Sequence, residues 1–302
     1  MNYSENKKLE TLYTKAVKLY NSKDFQNAGK YFQEVLTIDP LLVDALSGLS
    51  VCHYELGDYE NALLCVNHAL EIVPDSEEML QNKLYFLLAD EQYNLALAIS
   101  GDLLRLHPSS EDYLLQNAVL LYQNDKFCAA LNSYKKLLNQ SEEKFEYLLC
   151  IAGCYFAMDK TKMAITFAEK ALMEDPRNAT ALNNIGFYRL ELKQYQKAIV
   201  DFDRAIRIDE DFAFAYNNKG FALIELGELE EGLNLIKYAI ELDPKNSYAY
   251  KNMGWYFIKT NQPDLATEYL ERALELGFSA EYGDEAEDLL EELEGFSEKD
   301  VS

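Results

Sequence analysis

Three features of the sequence predict an all-α protein built from stacked helical hairpins. A small residue recurs at a constant interval of 34 positions, as Ala28, Ala62, Ala96, Ala130, Ala164, Ala198, Gly232 and Ala266, with no insertion or deletion. That period is the length of a two-helix unit that can bury its apolar face only against its neighbours. Within each interval, apolar residues fall at i, i+3, i+4 and i+7, the spacing of one helix face. Finally, 13 Gly and 6 Pro in 302 residues suit long helices joined by short turns. A chain that is 49% apolar and 26% charged has enough apolar surface for a packed core and does not read as disordered.

The recurring small residue sets a register. With Leu9 as position 1, later units start at Val43, Glu77, Glu111, Phe145, Ala179, Ala213 and Ser247. Position 4 is large throughout: Leu12, Leu46, Leu80, Leu114, Leu148, Leu182, Tyr216 and Tyr250. Position 8 is small in seven units (Ala16, Ser50, Ala118, Ala152, Gly186, Gly220 and Gly254). Small residues at positions 8 and 20 let two antiparallel helices approach closely, and large residues fill the space around them. Phe25, Tyr59, Tyr93, Phe127 and Tyr195 at position 17 are placed to lock the start of the second helix. Pro40, Pro74, Pro108, Pro176 and Pro244 stand at position 32, where proline cannot continue a helix.

This pattern resembles the tetratricopeptide repeat family, most clearly from Ala179 to Leu276. The resemblance implies a right-handed α-solenoid of about eight tandem repeats: 9–42, 43–76, 77–110, 111–144, 145–178, 179–212, 213–246 and 247–278. Residues 1–8 are then an N-terminal extension. Residues 279–302 form an acidic capping helix and tail, with Ala286, Leu289, Leu290 and Leu293 on one apolar stripe. A terminal repeat needs such a cover for its apolar edge. Leu84 at position 8, with Leu103 and Leu137 at position 27, departs from the family pattern and predicts less regular packing there.

The formal net charge is −24, and residues 279–302 alone carry ten acids and one base. Binding to nucleic-acid phosphates or to an anionic membrane surface requires the opposite sign, so neither is expected as a partner. No stretch is long and apolar enough to span a bilayer, and the N-terminal residues contain no apolar export region. Five Cys at irregular spacing do not form a disulfide framework. A cytoplasmic location is therefore expected.

The family resemblance implies that positions 2, 5, 6, 9 and 12 of each first helix face a concave groove. Asn82, Gln116, Asn184, Asn218 and Asn252 occupy position 6. An amide offers both a donor and an acceptor, which suits the backbone of an extended peptide, and the series resembles the asparagine ladders of repeat superhelices. Position 5 adds Asn183, Asn217 and Lys251, position 9 adds Phe187, Phe221 and Trp255, and Tyr248 stands at position 2 of the last repeat. These residues are the expected partner-binding set, with packing between adjacent helices as the competing role for the aromatics. Glu10, Asp44, Glu78, Asp112 and Glu146 at position 2 form a secondary acidic stripe that could attract a basic segment. Position 2 also lies in the first turn of a helix, where acids complement the dipole. The Lys and Asn pattern by which some family members clamp the carboxylate tail of heat-shock chaperones is missing: Lys occurs at position 5 only as Lys251, with Trp255 where Asn belongs.

Chemistry is sparsely provided. Cys52, His53, Cys65 and His68 suggest zinc at first sight, but adjacent residues on a helix point about 100° apart and cannot all converge. No cofactor, metal or enzymatic activity is expected. The sequence instead predicts a scaffold or adaptor, co-chaperone-like, that binds an extended or helical protein segment. The alternatives are an acidic stoichiometric inhibitor of the immunity type that masks a basic protein, and a self-assembling scaffold.

Overall fold

The computed structural model describes residues 3–299, and all of its regular structure is α-helical. Sixteen helices pair into hairpins: α1 (Tyr3–Asn21) with α2 (Phe25–Ile38), α3 (Val43–Glu55) with α4 (Tyr59–Ile72), α5 (Glu77–Ala89) with α6 (Tyr93–Leu106), and α7 (Glu111–Gln123) with α8 (Phe127–Gln140). The series continues with α9 (Phe145–Ala157) and α10 (Thr161–Glu174), α11 (Ala179–Glu191) and α12 (Tyr195–Ile208), α13 (Ala213–Leu226) and α14 (Leu229–Leu242), and α15 (Ser247–Lys259) and α16 (Pro263–Glu275). A short α17 (Phe278–Tyr282) and α18 (Glu285–Lys299) follow. The chain divides into two compact units, Met1–Gln140 and Ser141–Ser302.

Each hairpin is closed by the same backbone device. The residue at position 15 has a positive φ in all eight: Lys23, Gly57, Glu91, Asp125, Asp159, Lys193, Gly227 and Asn261. The next amide reaches back five residues, as in Asp24 N–H to the Leu19 carbonyl and Glu228 N–H to the Leu223 carbonyl, each near 3.0 Å or closer. This is the Schellman closure, in which a left-handed residue turns the chain and satisfies the carbonyls left open at a helix end. Only Gly57 and Gly227 adopt that conformation without a steric penalty. The second helix then starts at position 17 in every hairpin.

Between the paired helices, the residues at position 20 are sealed from solvent, from Ala28 to Ala266. So are those at position 27, including Leu103 and Leu137, and the extra volume of Leu103 packs into the core that joins α5, α6 and α7. Position 8 sets how closely the partners approach. A Cβ on Gly186 would lie within 2.5 Å of the Phe202 ring, so that glycine makes room for an aromatic side chain. A Cβ on Gly220 would instead lie 2.7 Å from the Gly232 carbonyl oxygen, and the converse holds for Gly232. There α13 and α14 touch backbone to backbone.

First helices also contact one another within each unit: α1 with α3 and α3 with α5, then α11 with α13 and α13 with α15. Successive second helices make no comparable contact among the described residues. The first helices therefore form the inner, concave side of each stack. At the C-terminal end Phe278 and Ala286 are fully buried, and Leu289, Leu290 and Leu293 join them against Leu270 and Ala273 of α16. The apolar stripe of α18 thus covers the last hairpin.

Two expectations change. Helix α1 starts at Tyr3, so residues 3–8 belong to the first hairpin rather than to an extension ahead of it. Glu10 consequently lies in the body of α1, away from the dipole-stabilised first turn that Asp44, Glu78, Asp112 and Glu146 occupy in their helices. Residues 1–2 and 300–302 of the expected extension and tail lie outside the described residues.

Replacing Gly220 with Ala should destabilise unit 2 by about 1–3 kcal/mol, because its Cβ meets backbone that cannot rotate away. Thermal denaturation followed by circular dichroism measures this. By the same assay, Glu91→Gly should raise stability by about 1 kcal/mol, since glycine relieves the left-handed strain at an exposed turn.

Candidate partner-binding site

The asparagines of the last three repeats form one connected chain of hydrogen bonds on the inner face of unit 2. Asn218 Nδ2 donates to Asn183 Oδ1 of the preceding repeat at 3.1 Å, and Asn252 Nδ2 donates to Asn217 Oδ1 at 3.0 Å. Within a repeat, Asn217 Nδ2 donates to Asn218 Oδ1 at 3.3 Å, and Lys251 Nζ donates to Asn252 Oδ1 at 3.5 Å. Position 6 of one repeat is thereby tied to position 5 of the repeat before it. All five side chains are buried. Amides buried away from water need partners, and here each supplies the other's.

Lys251 ends the chain as a buried cation. Its side chain is 3% exposed, and Nζ lies 2.7 Å from Glu285 of α18 and over the rings of Tyr248 and Phe221, at 5.0 and 5.6 Å from their centroids. A desolvated ammonium is tolerable only with such compensation. Glu191, at the end of α11, senses the same cluster. Its carboxyl is raised above the usual carboxylate range first by burial and then by the charge of Glu285, with Lys251 opposing.

The expected aromatics flank this chain and are half-buried. Phe187 packs edge-on against Phe156 at 5.5 Å, and Tyr248 stacks on Phe278 at 5.8 Å. The indole N–H of Trp255 donates to Glu225 Oε1 at 2.8 Å. Glu225 also meets Lys259 at 3.2 Å and accepts the Tyr195 hydroxyl at 3.3 Å, so one carboxylate ties the groove residue Trp255 to two side chains beside it. Reading groove positions 2, 5, 6, 9 and 12 does not reach Glu225, because it stands at position 13. Asn184 differs from its neighbours: it is half-exposed and makes no described hydrogen bond.

The acidic stripe residues Glu10, Asp44, Glu78, Asp112 and Glu146 are all exposed, and Glu78 accepts the Ser47 hydroxyl at 2.8 Å. Cys52 and Cys65 are held as thiols, their pKa values pushed by burial to about 12 and about 11. His53 Nδ1 lies 3.0 Å from Asp58. Among the described residues no group of three or more His, Cys, Asp or Glu is placed to hold a metal, and no helix is long and apolar enough to cross a membrane.

Paired helices at a 34-residue step, with their first helices on the inner side of each unit, define an α-solenoid of helical hairpins. The chain belongs to the tetratricopeptide repeat family. The family model described as intraflagellar transport protein 56 matches residues 15–191, more than half of the chain, and tetratricopeptide repeat models match 179–212, 215–246 and 235–268. No curated protein matches the chain. Among solved structures, a tetratricopeptide repeat protein from Parabacteroides merdae is 17% identical with a TM-score of 0.71, the alignment covering 83% of this chain and 98% of that one. The APC/C hetero-tetramer Cut9-Hcn1 is 17% identical with a TM-score of 0.57, over 93% of this chain and 55% of that one. At these identities the likeness is one of fold. No catalytic family is among these matches, and tetratricopeptide repeat proteins generally act as protein-binding scaffolds.

Asn218→Ala should lower stability by about 1–3 kcal/mol, because it strands the Asn183 oxygen and the Asn217 amide inside the protein. Asn184→Ala should leave stability within about 0.5 kcal/mol of the parent. Urea denaturation of the two variants measures the difference.

Proposed function

We propose that this protein is a non-enzymatic cytoplasmic adaptor, co-chaperone-like, that holds an extended or helical segment of a partner protein along its concave faces. In unit 2 the segment lies across Asn184, Phe187, Phe221, Tyr248 and Trp255. The observation that supports this reading is the buried chain Lys251–Asn252–Asn217–Asn218–Asn183 behind them. A groove whose floor is already hydrogen-bonded loses little freedom on binding, so more of the contact energy appears as affinity. Aromatic side chains beside a free amide supply contact area and one backbone-directed hydrogen bond. Asn183, Asn217, Asn218, Lys251 and Asn252 act in this reading as the rigid support, and the exposed edges above them make the contact.

A second reading is a stoichiometric inhibitor of the immunity type that masks a basic protein. The exposure of the five stripe carboxylates favours it. Such a complex dissociates as salt rises, because exposed charge pairs are screened over about 8–10 Å at physiological ionic strength.

Purification from the native host, followed by mass spectrometry, tests both. The adaptor reading expects a partner captured by the parent protein and lost with Asn184→Ala combined with Trp255→Ala, while the circular dichroism spectrum stays unchanged. Capture that survives this pair, vanishes on neutralising the stripe and blocks the partner's own activity at one-to-one stoichiometry would replace it with the inhibitor reading.

A further inference from the structure

The inner face of unit 1 has a composition of its own. At positions 2, 5, 6, 9 and 12 of its four repeats stand the carboxylates of Glu10, Asp44, Glu78 and Asp112 and the rings of Tyr13, Tyr20, Tyr54, Tyr85 and Tyr122. None of those positions holds Lys, Arg or His. Part of this face is a concavity of about 350 Å³ between α1, α3 and α5, lined by Tyr13, Tyr20, Asp44, Ser47, Glu78 and Asn82. Phe32 backs it, edge-on to Tyr13 and Tyr20 with centroids 6.0 and 6.4 Å apart. Beyond it the ring of Tyr85, 59% exposed, lies 4.9 Å from that of Tyr54.

No basic side chain pairs with Asp44 or Glu78 among the described residues, and the neighbouring hydroxyls register the uncompensated charge. The Tyr13 phenol is held above its ordinary pKa by burial, then by Asp44 and Glu78. Tyr20 is raised by burial, then by Cys52, Glu55 and Glu78. Aromatic faces beside carboxylates that have no basic partner are complementary to a guanidinium, which stacks on rings and forks onto a carboxylate. An ammonium is more strongly hydrated and fits such a wall less well.

We propose that the inner groove of unit 1 docks an extended, arginine-bearing segment of a partner protein, with guanidinium groups over the tyrosine rings and against Asp44 and Glu78. This rests on the adaptor reading and names the chemistry of the segment that unit 1 takes.

Fluorescence anisotropy with the full chain and a short labelled peptide alternating Arg with Ser tests it. Binding is expected, weakening about tenfold between roughly 50 and 300 mM salt. The isosteric pair Asp44→Asn and Glu78→Gln should weaken it about tenfold, and Tyr85→Ala about threefold. Glu228→Gln with Glu230→Gln removes the same charge from an exposed turn of unit 2 and should change nothing. Circular dichroism melts confirm that each variant is folded. Equal binding of a peptide with Glu in place of Arg, an unchanged affinity in the Asp44 and Glu78 variant, or an equal loss in the unit 2 control would each overturn the proposal. So would no binding of the Arg peptide, and if partner capture through Asn184 and Trp255 persisted, the adaptor reading would stand without it.

Discussion

Close approach of two antiparallel helices, repeated every 34 residues, is the constraint on which the rest of this molecule depends. It rests on a small side chain or none at position 20 in every repeat and at position 8 in all but the third, which carries Leu84, with a sealed residue at position 27. Where both contact residues are glycine, as at Gly220 and Gly232, the backbones themselves meet. Where only one is, as at Gly186, a ring from the partner helix fills the gap. The same hairpin therefore closes on different contacts, backbone against backbone in one repeat and backbone against a ring in another.

Much of this architecture was legible in the sequence, because the signals were periodic and local. The alanine series marked the hairpin contact, and the aromatics at position 17 marked where second helices begin. The left-handed turn at position 15 was not legible. Its occupants include Lys23, Glu91, Asp125 and Lys193, which carry no conformational signature in common, and a backbone requirement met by five different residue types leaves no trace in composition. The start of α1 was hidden for a related reason: Ser4, Glu5, Lys7 and Lys8 extend the helix while lying outside the repeat.

The site was legible in position but not in role. Counting from the alanines placed Asn183, Asn217, Asn218 and Asn252 on first helices facing a groove; they stand on those helices, but buried against the neighbouring repeat rather than open to a ligand. A single repeat cannot reveal that each amide finds its partner one repeat away, because that pairing depends on the offset between successive first helices. Asn184, which has the same residue type and register as Asn218, is left half-exposed. The tyrosines of unit 1 needed only a tally of groove positions, which the prominence of the asparagines obscured.

The amide chain in unit 2 also has a direction. Every asparagine at position 5 accepts from the repeat that follows, so each repeat both receives a neighbour and becomes one. Lysine carries three donors and no acceptor. At position 5 of the last repeat, Lys251 can start the relay but cannot receive another member. The residue one period later is Glu285, a pure acceptor when ionised, and beside it stands Ala286 rather than an amide donor. The array is thus punctuated chemically as well as covered sterically. An engineered copy with a ninth repeat would have to restore asparagine at 251 before the stack could lengthen.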